Sequence, residues 1–182
     1  MTSGSASAAS LYDRRAGVYD AMIRAIGHRR RLRRFVEASG ALRAGMAVLD
    51  AGCGSGATTM AVHDAAARLG LEGIRYRGFD LSAGMLARVK EWSGTVGADS
   101  AFVQADALAV PAGLPPDWRD FGLVVSAGML EYVPKARLSS VLSSLRGLMR
   151  GGAMIQVFIC RDSVFNRLFI GGYWKANVYG RD

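Results

Sequence analysis

The sequence predicts an α/β fold, a doubly wound parallel sheet with helices on both faces, and three observations carry the prediction. From Ala47 onward, short apolar runs alternate with stretches of helical periodicity until five strands have been formed. Polar residues close those runs at the same end: Asp50, Asp80, Asp106 just past the third run, and Ser126. A glycine-rich turn, Gly52-Cys-Gly-Ser-Gly56, separates the first run from the helix after it. Strands joined by helices pair in parallel, and the polar ends of such strands converge on one crevice.

Residues 1–10 are rich in Ser, Ala and Gly and read as a disordered tail. Two helical stretches are expected over 11–39, broken around Gly27-His28. Val18, Met22, Ile23 and Ile26 give the first an apolar side, and Leu32, Phe35 and Val36 are expected to face inward from the second. Tyr12-Asp13 and Tyr19-Asp20 recur at seven-residue spacing on nearly one helix face, suited to packing or to a lid over the glycine turn. The first strand is Ala47–Asp50, and its helix runs from about Thr58 to Leu69. The second strand is Arg75–Asp80, with a helix capped by Ser82 and an apolar face of Met85, Leu86, Val89 and Trp92. Ala101–Gln104 is the third strand, followed by a loop punctuated by Pro111, Pro115 and Pro116. Phe121–Ser126 is the fourth strand. The helix after Pro134 carries Leu138, Val141, Leu142, Leu145 and Leu148, is expected to stop at Gly151-Gly152, and leads into a fifth strand over Ala153–Cys160.

A chain of 182 residues, 51% hydrophobic, has one domain by the usual prior and can bury a full core. No apolar run reaches the roughly 18 residues of a membrane span, and no signal-peptide core precedes the fold, so a cytoplasmic location is expected. Cys53 and Cys160 lack a metal or redox spacing and read as reduced, and no metal is expected. The net charge of +8 invites a nucleic-acid partner, but only three of the 23 basic residues are lysine, which suggests compositional bias. The densest cluster, Arg24, Arg29, Arg30, Arg31, Arg33 and Arg34, reads as a solvated helix face in preference to an RNA or acidic-lipid patch.

The glycine turn is a candidate small-molecule cradle, because glycine brings bare backbone close to a ligand and the N–H groups of the next helix point into that space. An acid ending the second strand stands where a ribose lies in nucleotide-binding sheets, so Asp80 is a candidate affinity determinant. Two ligands compete for this geometry. Gly52, Gly54 and Ala57 satisfy the dinucleotide pattern G-x-G-x-x-G/A, which would make the chain an NAD(P)-binding oxidoreductase domain. Against that, Asp50 would repel a pyrophosphate, and the third glycine comes early, at Gly56. An acid at Asp50 suits a ligand carrying an ammonium group.

Val48-Leu-Asp-Ala-Gly-Cys-Gly-Ser-Gly56 resembles motif I of class I S-adenosylmethionine-dependent methyltransferases. Gly78-Phe-Asp-Leu-Ser82 with Met85-Leu86, Gln104-Ala-Asp-Ala107, Phe121 to Leu130, and Leu148-Met-Arg-Gly-Gly152 are similar to the later motifs, in order and spacing. The run Leu11-Tyr-Asp to Val18-Tyr-Asp20 is similar to the amino-terminal segment of the quinone-biosynthesis-type branch. The resemblance implies a methyltransferase domain over 11–160, with a helical lid over 11–39 and a partial extension over 161–182. It implies S-adenosylmethionine as cofactor, with Gly52, Gly54 and Gly56 against the methionine moiety and Asp50 near its ammonium. Asp80 would take the ribose hydroxyls, Leu81 or Met85 would pack on adenine, and Asp106 with the Ala107 N–H would hold its polar edge. Ser126 and Ala127 would line the methionine side, and Tyr12 and Tyr19 would close over the cofactor.

In such enzymes the methyl is already activated, so alignment and exclusion of water suffice and no catalytic acid or base is assigned. His28 and His63 read as surface or structural groups, and Glu131 and Tyr132 stand at the edge where an acceptor would arrive. Ser126-Ala-Gly-Met129 is not the Asn/Asp-Pro-Pro-aromatic motif of amide or adenine N-methylation, and no Pro-Cys pair suggests cytosine chemistry. A small-molecule O-, N- or C-acceptor is therefore expected. Family members continue with sixth and seventh strands, whereas this chain stops at Asp182. The expectation is of a C-terminally truncated domain whose fifth strand a partner or second copy covers, or of a noncatalytic cofactor-binding scaffold.

Overall fold

A computed structural model describes Gly17 and residues 27–158. The expected tail 1–10, the tyrosines Tyr12 and Tyr19, Cys160 and the extension 161–182 lie outside the described residues. Helix α1 is His28–Ser39, β1 Ala47–Ala51, α2 Ala57–Arg68, β2 Arg75–Asp80 and α3 Ala83–Val89. They are followed by β3 Ala101–Gln104, β4 Phe121–Ala127, α4 Lys135–Gly147 and β5 Met149–Val157. Short 3₁₀ turns occupy Ser93–Val96, Ala107–Ala109 and Leu130–Tyr132.

The five strands form one parallel sheet in the order β3-β2-β1-β4-β5. The chain winds outward from β1 through β2 to β3, then returns to place β4 on the other side of β1. That reversal makes the carboxyl ends of β1 and β4 the switch point, where sheets of this kind open a crevice. Helices cover both faces, so the central strands are apolar along their whole length and the two faces differ by alternation. Leu49 and Val124 point into one core with Phe79, Trp118, Val141 and Leu145. Val48, Leu123 and Val125 point into the other, with Leu32 and Val36 of α1 and Ala61, Val62 and Ala65 of α2. Burying each large aliphatic side chain stabilises the fold by about 1.5–3 kcal/mol, so these two layers hold the crevice rigid.

Two expectations are corrected. Phe35 does not face inward; it is 56% exposed, while Leu32 and Val36 make the contact with α2. Helix α1 touches the domain along one narrow stripe, where Arg29 also binds Asp64 through two hydrogen bonds of 2.6 and 2.7 Å. Gly151 and Gly152 do not end the preceding helix. Helix α4 stops at Gly147, and both glycines lie inside β5 at φ 73° and 75°. The Leu148 carbonyl accepts from the Phe121 N–H at 3.1 Å, so pairing with β4 has already begun at Met149. Strand β5 then advances from Met149 to Ala153 while β4 advances only from Phe121 to Leu123, and the glycines absorb the surplus as a bulge. A Cβ at Gly152 would stand 1.8 Å from the Gly122 carbonyl oxygen, which explains the residue type.

Among the described residues no helix is long and apolar enough to cross a membrane. Cys53 is a buried free thiol whose pKa burial pushes well up. His63 packs edge-on against Tyr76 with ring centroids 5.8 Å apart, in keeping with the structural role expected for it.

Candidate functional site

The turn after β1 is built on backbone that only glycine adopts readily: Gly52, Gly54 and Gly56 have φ of 75°, 53° and 92°. Its start hangs on the next strand, because the Gly52 and Cys53 N–H groups both donate to the Phe79 carbonyl at 2.9 Å. The Asp80 carboxylate then ties two segments together. Its Oδ2 accepts from the Gly54 N–H at 2.8 Å, and its Oδ1 accepts from the Ser82 N–H at 2.9 Å. Ser82 in turn caps α3, its hydroxyl accepting from the Met85 N–H at 3.1 Å. Asp80 is thus fixed at the mouth of the crevice by main-chain donors on either side.

In front of this turn lies a cavity of roughly 780 Å³, counting its open mouth. Gly52 and Gly54 after β1, Asp80 at the end of β2, and Asp106 with Ala107 after β3 all line it, in the order in which those strands lie in the sheet. The rest of the lining is mainly apolar, with Leu81, Met85, Ala105 and Leu108 following β2 and β3, and Ala127, Met129 and Val133 at or beyond the end of β4. Asp106 is anchored by one oxygen, Oδ1, which accepts from the Leu108 N–H at 2.9 Å. The site is a mainly apolar slot whose lining includes two carboxylates, Asp80 and Asp106.

Of the residues expected to line it, Gly52, Gly54, Asp80, Leu81, Met85, Asp106, Ala107 and Ala127 do. Asp50, Gly56 and Ser126 stand behind the wall instead. Asp50 is 1% exposed, with Oδ2 accepting from the Thr59 hydroxyl at 2.6 Å and Oδ1 buried without a partner. Burial pushes its pKa up to about 7, with the charge of Asp80 adding to the rise and the Thr59 hydrogen bonds opposing it. Ser126 is buried on β4, its hydroxyl also without a partner. Gly56 faces the ring of Trp92. Glu131 is buried and does not reach the cavity, whereas Tyr132 lines it.

The reading from sequence missed Phe79, Ser82, Ala105, Leu108, Gly128, Met129 and Val133, which also line the cavity. Met129 lies so close over Gly52 that a Cβ there would come within 2.3 Å of its own. A glycine just after a strand, Gly128 at φ 86°, is the one signal that the chain turns sharply back over the first loop here.

The family described as a methyltransferase domain matches residues 48–152. A search of curated proteins returned no match. Among solved structures, the chain is similar to a DhpI-SAM-HEP complex at 24% identity, covering 92% of this chain and 71% of that one, with a TM-score of 0.66. It is similar to a DhpI-SAH complex at 25% identity over 87% of this chain and 72% of that one, with a TM-score of 0.62. Magnesium protoporphyrin IX methyltransferase (ChlM) from Synechocystis PCC 6803, with bound SAM, matches at 20% identity over 86% of this chain and 64% of that one, with a TM-score of 0.58.

Proposed function

The chain belongs to the methyltransferase domain family, and from that premise we propose that it holds S-adenosylmethionine along the slot and passes the methyl to a small-molecule acceptor. One observation carries the reading: a single cavity is bordered by the glycine turn, by Asp80 and by Asp106, with a mainly apolar lining otherwise. That order of groups suits a ligand with an amino-acid end, a ribose and a flat base.

Each residue has a chemical reason for its part. Gly52 and Gly54 leave room for the methionine moiety against the turn. Each Asp80 oxygen accepts one main-chain N–H, which holds the carboxylate against the slot where a ribose hydroxyl would donate to it. Asp106 spends Oδ1 on Leu108 and offers Oδ2 to the amino group of adenine, with the Ala107 N–H beside it. Leu81, Met85 and Leu108 supply the apolar surface on which a base packs. The orphan Oδ1 of Asp50, buried behind the turn, fits an ammonium group met directly or through a water. Gly56 holds the turn from behind, and Ser126 and Ala127 form the β4 end of the methionine side. When bound, S-adenosylmethionine supplies a methyl group already activated by its sulfonium. The chain then has to align the acceptor for in-line displacement and keep water out, which the apolar wall of Met129, Tyr132 and Val133 serves.

The proposal takes 11–160 as one domain, with Tyr12 and Tyr19 in a lid over 11–39, a tail over 1–10 and an extension over 161–182. Its setting is cytoplasmic, where a free buried thiol such as Cys53 stays reduced. The arginines of α1 are read as a solvated face, with Arg29 and Arg33 paired to Asp64 and Glu37, in preference to a nucleic-acid surface. A second copy or another partner covers the outer edge of β5, which among the described residues pairs only with β4. Calorimetric titration with S-adenosylmethionine and with NAD tests the donor, and labelled donor incubated with a metabolite extract tests transfer. S-adenosylmethionine is expected to bind and NAD to fail; tight NAD binding without the methyl donor would overturn the reading.

A further inference from the structure

Trp92 lies outside the slot, yet it grips the glycine turn at two points. Its indole Nε1–H donates to the Ser55 carbonyl at 2.9 Å. Its ring fills the space beside Gly56 so closely that a Cβ there would stand 1.7 Å from a ring carbon. The ring is supported from β3 by Phe102, edge-on with centroids 5.7 Å apart and planes at 72°. Its main chain is held as well: the Trp92 N–H donates to the Val89 carbonyl at 3.2 Å, and the Trp92 carbonyl accepts from Thr95 N–H at 2.8 Å and Thr95 Oγ1 at 2.7 Å. A side chain gripped in this way has little freedom of its own, so it transmits position.

The position it transmits is that of the peptide between Ser55 and Gly56. Gly56 is the N-cap of α2 and has no side chain with which to fix itself. Rotation of that peptide would re-aim the N–H groups at the start of α2, which stand behind the methionine end of the slot. Two successive residues of the turn are thus held by one segment of chain, Gly54 by Asp80 and Ser55 by Trp92. The same segment carries Leu81, Ser82 and Met85, which line the slot.

On the reading that the slot holds S-adenosylmethionine, we propose that Trp92 is a positioning residue, a latch that sets the glycine turn for the amino-acid end of the donor. The carboxylates on the adenosine side have main-chain anchors of their own, Asp80 on the Ser82 N–H and Asp106 on the Leu108 N–H. A ligand without the amino-acid end should therefore be indifferent to it.

The test compares two ligands on the whole chain. Trp92→Phe keeps an aromatic ring and removes the N–H donor, and calorimetry measures S-adenosylmethionine and 5′-methylthioadenosine, which lacks the amino-acid end. The variant is expected to bind S-adenosylmethionine about five- to tenfold more weakly, because binding must then set a turn that one hydrogen bond no longer holds, and methylthioadenosine within about twofold of wild type. Equal weakening of both ligands would reduce Trp92 to a general structural role and overturn the latch, as would no change in either. A wild-type chain that binds neither ligand would refute the donor site itself, and the latch with it. Should Trp92→Phe fail to fold, Phe102→Leu loosens the same ring from its other side, and the same selective loss for S-adenosylmethionine decides the matter.

Discussion

Asp50 stores a cost in the fold that a single substitution would expose. Its pKa rises from 3.8 to about 7 because the carboxylate is buried. At about 1.4 kcal/mol per pH unit of displacement, the ionised form costs about 4 kcal/mol relative to the unfolded chain. The sign follows from proton counting. Between the two pKa values the folded chain binds the proton and the unfolded chain does not, so stability falls as pH rises from about 4 to 7 and levels off above. Asp50→Asn removes the charge and keeps an acceptor for the Thr59 hydroxyl, but buries an amide N–H₂ at a cost of about 1–3 kcal/mol. The variant should therefore be less stable than wild type at pH 4 and more stable by about 1–3 kcal/mol at pH 8. His28, whose burial lowers its pKa, adds a pH dependence of opposite sign to both proteins and cancels in the difference. Urea denaturation of the two proteins at pH 4, 6 and 8 measures that difference. A gap that stays constant across the range would refute the assignment of a buried, costly charge. If the orphan oxygen faces the donor's ammonium, the same stabilised variant should bind S-adenosylmethionine more weakly.

The remaining predictions concern the two places where geometry leaves least freedom. Asp80→Ala removes acceptors from both Gly54 and Ser82 as well as the proposed ribose contact. Donor affinity should fall by at least about 1 kcal/mol, roughly fivefold, in calorimetric titration; unchanged affinity would show that the ribose lies elsewhere. Gly152→Ala meets both a positive φ and the Gly122 carbonyl, and is expected to cost about 2 kcal/mol or more, read as a lowered Tm. Gly151→Ala has the same positive φ with nothing within 4 Å of the added Cβ and should cost less. Equal losses at the two positions would remove the steric argument for the bulge.

Much of this architecture is written in local pattern. The bounds of β2 and β3, the cap at Ser82 and the start of α2 follow from runs of apolar residues and their punctuation, which depend on neighbours a few positions away. Asp80 and Asp106 line the cavity from the ends of their strands, whereas Asp50 and Ser126, also at strand ends, are buried behind its wall. The misplaced features share a different cause. Gly151-Gly152 resembles a helix stop, yet its meaning came from Gly122 on the adjacent strand. Phe35 has the spacing of a core residue, yet α1 meets α2 along a stripe too narrow to include it.

The glycine turn shows the division most clearly. Sequence by itself determined that bare backbone and helix N–H groups would stand at the end of the first strand, because only glycine tolerates three positive φ values in five residues. Tertiary structure alone decided which of those residues face the slot. Gly52 and Gly54 border it, Gly56 turns its back on it to admit the ring of Trp92, and Asp50 is sealed beneath with a pKa near 7. Spacing says which residues are close along the chain. Packing of β2 and α3 against the turn says which side of each residue is left for a ligand.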